Sequence, residues 1–277
     1  MGWWFTKFLN SNGYHVVISD RNRHAGRARA RRLGIDFAND YLVAAKASDI
    51  VVLATPTNVS DMILKQLGRE LQKRTLLVEI STMKDPLRRT ISALQKKGVP
   101  VFSIHPMFGS GTKKLEGRSI LVVSKTHHRE EDHLISAFRR LGACIVPCPI
   151  DKHDMLASVV IALPHLISIS LIETLRYLHV SMNEINKASG TTFRLHSLIA
   201  EAIYQEDRAN EVSILVDSKS SVLKAYNRQV RCILNIMKNS PERLSSILNT
   251  GRRFVEDDIH FADSYERFNA AVQAALV

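Results

Sequence analysis

Cysteine is scarce in this chain. Its 277 residues include three (Cys144, Cys148 and Cys232), an odd number and too few for a disulfide framework. Reduced thiols in a cytoplasmic protein are the plain expectation. No Cys/His cluster has ligand spacing, so no metal is expected. The opening Met1-Gly2-Trp3-Trp4-Phe5 lacks the basic region and cleavage site of a secretory signal. Internal repeats and flexible linkers are missing as well. With 45% apolar and 23% charged residues, the chain is neither disordered nor collagenous. Acidity is in deficit: Lys plus Arg number 38 against 27 for Asp plus Glu, a formal net charge of +11. Such an excess favours anionic partners without choosing among phosphates, carboxylates, nucleic acid and a membrane surface. One run is free of charge for 18 residues, Met155 to Ile172. By length it is a transmembrane candidate. Pro164, His165 and three serines lie within it, and Asp151, Asp154 and Glu173 flank it. A core helix of a helical domain is therefore expected, and no membrane partner.

What is present divides into two halves. The first alternates β-branched runs with amphipathic segments. Strands are predicted at 15–20, 49–54, 75–80, 101–104, 119–124 and 143–146, and helices near 24–33, 59–72, 86–97 and 130–141. Continuous rather than alternating apolar runs argue for a mostly parallel sheet covered on both faces. The pattern predicts an α/β fold, a Rossmann-like doubly wound sheet over residues 1–149, followed by an all-helical domain over 150–277. The boundary rests on a composition shift near Pro147-Cys-Pro149. Beyond it, helical patterns run near 151–179, 182–205, 208–238 and 241–275.

A doubly wound sheet binds ligands at the carboxyl ends of its strands. Asp20 closes the first visible strand, where an acid accepts hydrogen bonds from the adenosine ribose; the other reading is a turn or capping aspartate. Arg21 and Arg23 could pair with a 2′-phosphate, or simply form a solvated basic helix face. Nucleic-acid binding is not expected, because no aromatic residues interleave with these arginines to stack bases. Gly2 reads as the last glycine of a G-x-G-x-x-G turn leading straight into a helix. The first strand and the earlier glycines are not visible, so the start is expected to be an internal methionine of a longer protein.

A stronger constellation follows. Consecutive strand ends carry Thr55-Pro56, Ser81-Thr-Met-Lys84 and His105-Pro106-Met107-Phe108-Gly109. In a parallel sheet these loops open on one edge. Ser81 and His105 then stand in neighbouring loops, where a serine can fix a histidine's tautomer. Pro106 biases His105 away from helical geometry, and Gly109 permits a tight turn. His105 could also be a polar strand-end residue without chemistry.

The segment Ser103-Ile-His-Pro-Met-Phe-Gly109 resembles the H-P-M-x-G motif of the prephenate/arogenate dehydrogenase family. Leu163-Pro-His-Leu166 resembles its L-P-H element, Glu79-Ile-Ser-Thr-Met-Lys84 its serine-lysine loop, and Thr192-Phe-Arg194-Leu the segment with its substrate-binding arginine. The ordered likeness spans nearly the whole chain. It implies oxidative decarboxylation of prephenate or arogenate in tyrosine biosynthesis. By the resemblance, His105 takes the ring hydroxyl proton, Ser81 orients it, and Arg194 and His165 face the substrate. Gly2, Asp20, Arg21, Thr55 and Pro56 would bind NAD or NADP, with NAD slightly favoured. A homodimer through the helical domain is implied too. His165 also reads as a core histidine and Arg194 as an ion-pair residue. His153 is expected to be a helix residue outside the site. Two alternatives stand beside this reading: another two-domain hydroxyacid or imino-acid dehydrogenase, and a nucleotide-binding regulatory protein without turnover.

Overall fold

The computed structural model describes residues 1–71 and 74–275. The chain divides into two compact units, Met1–Leu156 and Ala157–Val277. The division falls inside the helix at whose start the composition shift lies.

The first unit opens on α1 (Gly2–Ser11), followed by β1 (Val17–Ile18), α2 (Arg23–Leu33), β2 (Asp36–Phe37) and α3 (Tyr41–Lys46). Then come β3 (Ile50–Leu53), α4 (Thr57–Glu70), β4 (Leu76–Glu79) and α5 (Arg88–Lys96), the last entered through a 3-10 turn at Asp85–Leu87. Strands β5 (Val101–Pro106) and β6 (Ser119–Ser124), helix α6 (Arg129–Arg140) and strand β7 (Cys144–Pro147) complete the α/β part. Helix α7 (Ile150–Ala157) follows. Local chemistry sets several of these ends. The Asn22 side chain accepts the Ala25 amide at 3.0 Å to cap α2, whose C-cap is Gly34 at φ 65°, a conformation open to glycine. Helix α6 has Glu130, Glu131 and Asp132 in its first turn and Arg139 and Arg140 in its last, matching the helix dipole at both ends.

Five strands form one sheet in the order β3-β4-β5-β6-β7, and β1 pairs with β2 in a separate parallel pair. The β3/β4, β4/β5 and β6/β7 pairs are parallel; β5/β6 is antiparallel, with a register shift between Ser103 and Ile104. Both faces are covered, as the continuous apolar runs predict. On one, Trp4, Phe5 and Phe8 of α1 and Leu134 and Phe138 of α6 pack with Leu76, Val78, Phe102 and Ile104. Phe8 stacks on Phe138 with ring centroids 4.8 Å apart. On the other, Leu64 and Leu67 of α4 and Ile91 and Leu94 of α5 pack with Leu53, Leu77 and Val101. Each such fully buried side chain contributes about 1.5–3 kcal/mol.

The short β2 and α3 have no counterpart in the sequence pattern. The Asp36-Phe37 strand is too brief to carry a periodic signal, and α3 rests on its cap, Asp40 accepting the Leu42 amide at 2.7 Å.

The second unit is helical. A π-turn at Ser158–Ala162 leads into α8 (Leu163–Tyr177). Pro164 supplies no amide hydrogen there, and the ladder adjusts in the turn before it. After α8 come α9 (Met182–Ala188), α10 (Thr191–Gln205), α11 (Arg208–Val216), α12 (Ser220–Asn239), α13 (Leu244–Val255) and α14 (Ser264–Ala275). The long helical stretches in the sequence are thus broken into shorter pieces. A capping box at Ser181 and Glu184 starts α9, Gly190 starts α10, and Asp207 accepts the Asn210 amide at 3.1 Å to start α11. The stretch Ile150–Tyr177 is long and apolar enough to cross a membrane, yet only 22% of its most apolar window is buried within the chain. Met155, Leu156, Val159, Val160 and Ile167 are exposed. The expected core helix therefore leaves much of its apolar surface uncovered by its own chain.

Candidate active site

Strands β3, β4 and β5 run parallel, so their carboxyl ends share one edge, as the sequence argument requires. Thr55-Pro56 follows β3, Ser81 follows β4, and His105 is the second-to-last residue of β5. Thr55 and Ser60 hydroxyls meet at 2.8 Å, and the Ser81 hydroxyl donates to Ser60 at 3.5 Å. Ser81 is therefore joined to the β3 edge, and its hydroxyl is not the group that holds His105.

The partner of His105 is His153. The two imidazoles meet Nδ1 to Nε2 at 3.0 Å. His153 Nδ1 in turn lies 2.7 Å from Asp154 Oδ1. His105 is 4% exposed, and His153 and Asp154 are fully buried. His153 sits early in a helix, as expected, and its ring meets the candidate residue His105, a contact the sequence reading did not anticipate. Asp154 is fixed from the other side, its carboxylate accepting the Lys84 amide at 2.8 Å and the Asp85 amide at 2.7 Å. Burial works to raise the Asp154 carboxyl. The hydrogen bonds from His153, Asp85 and Lys84 outweigh it and hold the group below the ordinary aspartate value.

Beneath His105 lies a second polar cluster. Lys84 Nζ donates to Glu79 Oε2 and to the Ile104 carbonyl, both at 2.8 Å. Ser103 Oγ donates to Glu79 Oε2 at 2.8 Å, and the Ser81 amide donates to Glu79 Oε1. Burial lowers the Lys84 ammonium from the usual lysine range, against the pull of Glu79. Burial, reinforced by the positive Lys84 and by His153, pushes His105 well below the usual histidine value. Its imidazole is thereby kept neutral, as a proton acceptor needs. Among the described residues, no group of three or more His, Cys, Asp or Glu side chains could hold a metal ion.

The remaining candidates have distinct settings. A Cβ on Gly2 would stand 3.3 Å from the Ala54 Cβ, the close helix-to-strand approach required of the last glycine in a dinucleotide turn. Asp20 follows β1 and accepts the Asn22 amide at 2.8 Å and Arg29 at 3.4 Å; Asn22 rather than Asp20 caps the helix. Arg21 and Arg23 are exposed. Gly109 starts a turn in which its carbonyl accepts the Thr112 amide at 3.1 Å. Its φ is not positive, so the turn does not depend on glycine. In the second unit, His165 Nδ1 lies 2.6 Å from Glu211 Oε2, a pairing that gives the sequence no local sign because the two are 46 residues apart. Arg194 is exposed, and its Nε donates to Ser189 Oγ at 3.3 Å.

Comparison with known proteins places these residues in a family. The prephenate dehydrogenase nucleotide-binding domain matches residues 5–146, and the prephenate dehydrogenase dimerization domain matches residues 149–233. The chain is 28% identical over 244 residues to the probable arogenate/prephenate dehydrogenase of Methanocaldococcus jannaschii, covering 86% of this chain and 55% of that protein. It is 25% identical over 169 residues to the chloroplastic arogenate dehydrogenase 1 of Arabidopsis thaliana, covering 57% of this chain and 26% of that protein. The chain thus spans about half or less of the length of these curated relatives. The fold is shared with the prephenate dehydrogenase of Aquifex aeolicus, solved in complex with hydroxyphenyl propionate and NAD+ (TM-score 0.72, 21% identity, 93% of this chain and 95% of that one). It is also shared with Synechocystis arogenate dehydrogenase (TM-score 0.61, 18% identity, 91% and 95%). With a Rossmann-like unit followed by a helical one, and both domains matched in order, the chain belongs to the prephenate dehydrogenase family.

Proposed function

We propose that this chain catalyses the NAD(P)-dependent oxidative decarboxylation of prephenate or arogenate, a step of tyrosine biosynthesis. The observation that carries this reading is His105: a buried imidazole at the carboxyl edge of a dinucleotide-type sheet, kept neutral by its surroundings. The substrate is a cyclohexadienol with a ring carboxylate. His105 receives the proton of the C4 hydroxyl as that oxygen becomes a carbonyl. The ring carboxylate leaves as carbon dioxide, its bonding electrons aromatise the ring onto the carbonyl oxygen, and that oxygen takes the proton back from His105 to become the phenol. NAD or NADP supplies, when bound, an acceptor for the hydride on C4. Gly2, Asp20, Arg21, Thr55 and Pro56 would hold that cofactor. The close approach at Gly2 and the carboxylate at the end of β1 fit it.

Ser81 lines the same edge and, through Ser60, ties the β4 loop to Thr55. Arg194 would bind a substrate carboxylate, since a planar guanidinium suits bidentate pairing. His165, oriented through Nδ1 by Glu211, would present its other nitrogen to the substrate. The exposed apolar face around the π-turn and α8 is the surface a homodimer would cover, in keeping with the dimerization-domain match. Such a dimer would work in the cytoplasm, with neither membrane nor nucleic acid as partner.

The test is turnover. Purified protein is offered prephenate or arogenate with NAD+ or NADP+, and the absorbance of reduced nicotinamide is followed. Growth of that signal in at least one pairing is expected. Folded protein that is silent in all four overturns the reading.

A further inference from the structure

We infer that Asp154 and His153 are positioning residues that set the tautomer of His105, so that the proton sits on its Nδ1 and the lone pair on its Nε2. The inference rests on the dehydrogenase reading for its purpose, but its geometry stands alone. Order along the chain of hydrogen bonds follows from what each group can donate. The Asp154 carboxylate already accepts two backbone amides, at 2.8 and 2.7 Å, and as an ionised group has only acceptors to offer. His153 Nδ1, 2.7 Å away, must therefore be the donor. With one proton on that ring, His153 Nε2 is an acceptor. His105 Nδ1, 3.0 Å from it, must then donate. The nitrogen left with a lone pair is Nε2 of His105. All three side chains are buried, so water does not compete for these bonds.

The arrangement also prepares for the charge that appears when His105 takes a proton. An imidazolium at His105 would donate from Nδ1 to a ring itself polarised by a carboxylate. The groups facing His105 are the Lys84 ammonium and His153. Glu79 balances Lys84 from the far side, and Asp154 acts through His153. The negative charge that reaches the Nδ1 side through this chain of bonds is that of Asp154.

Two readouts test this. The first uses protein labelled with 15N-histidine, with His105 identified by loss of its signals in His105→Asn. Wild-type His105 should show a protonated Nδ1 and an unprotonated Nε2. Asp154→Asn, which turns an NH2 group toward one of its neighbours, should give a mixture of tautomers. The second is steady-state kinetics. His153→Phe keeps the ring volume, leaves Asp154 to cap the Lys84 loop, and removes the acceptor. It should lower kcat by about 100-fold with KM changed less than about threefold. His153→Gln, whose carbonyl stands near the lost Nε2, should recover most of that loss. Asp154→Asn should move the acidic limb of kcat/KM to lower pH, because the carboxylate no longer favours the imidazolium. The inference is overturned if His105 carries its proton on Nε2 in the wild type. It is overturned too if folded His153→Phe keeps kcat within twofold, or if Gln and Phe at 153 are equally impaired. A wild-type protein without turnover would count against the dehydrogenase reading alone, since the tautomer is read without substrate.

Discussion

Lys84 Nζ lies 2.8 Å from Glu79 Oε2, and both side chains are fully buried. A buried ion pair is costly to desolvate and holds only where every remaining bond is made. Here the carboxylate also takes a serine hydroxyl and a backbone amide, and the ammonium takes a carbonyl of β5. Lys84→Met strands the Glu79 charge and should cost about 3–5 kcal/mol, read from urea midpoints. The double variant Glu79→Leu with Lys84→Met should recover part of that loss. It should stay below wild type, because Ser103, the Ser81 amide and the Ile104 carbonyl lose their partners.

The pH dependence has a definite sign. Burial, Lys84 and His153 all lower the value at which His105 takes up a proton. The imidazole must be neutral to accept one from substrate, and the lowering keeps it neutral in more acid solution. The acidic limb of kcat/KM should therefore fall below the ordinary histidine value of about 6.5. Profiles measured in constant-ionic-strength buffers check this. His105→Asn should lose about 100-fold or more in kcat at every pH.

Arg194 offers a test of carboxylate binding. Only its Nε has a partner among the described residues, Ser189, which leaves the forked end for a ligand. Arg194→Lys keeps the charge but loses the bidentate geometry. KM for the substrate should rise about tenfold or more, at the level of a charged hydrogen bond of about 1.5–3 kcal/mol, with kcat less affected. Initial-rate measurements separate the two.

The exposed apolar face of the second unit predicts association. Val160 is 52% exposed and Val159 45%, a poor state for valines in water. Val160→Asp should turn a dimer into a monomer at micromolar concentration, as read by sedimentation velocity. An unchanged sedimentation coefficient would place the dimer contact elsewhere.

The alternation of strands and helices, and the shared edge of β3, β4 and β5, were legible in the sequence because each apolar run is long and each strand end carries a distinctive polar residue. The His105 partners were not. Strand β6 is antiparallel to β5 and β7 is parallel to β6, so β7 ends toward the other edge of the sheet. A rule built on parallel strands has no reason to send His153 back to His105. Glu211 was hidden in the same way, by 46 residues of separation from His165. The breaks in the later helices lay in single capping residues, which a periodicity of apolar positions does not register.

The sheet of the first unit ends with Pro147, yet His105 has its hydrogen-bond partner at residue 153 and the Lys84 amide its acceptor at residue 154. The last strand and the last supporting residue are therefore different places on the chain, although the compact unit, which runs to Leu156, holds both. A chimera that exchanges nucleotide-binding halves between relatives at the end of β7 would transplant His105, the proposed proton acceptor, and leave its support behind. Joined within α7, past Asp154, the exchanged piece would carry its own support.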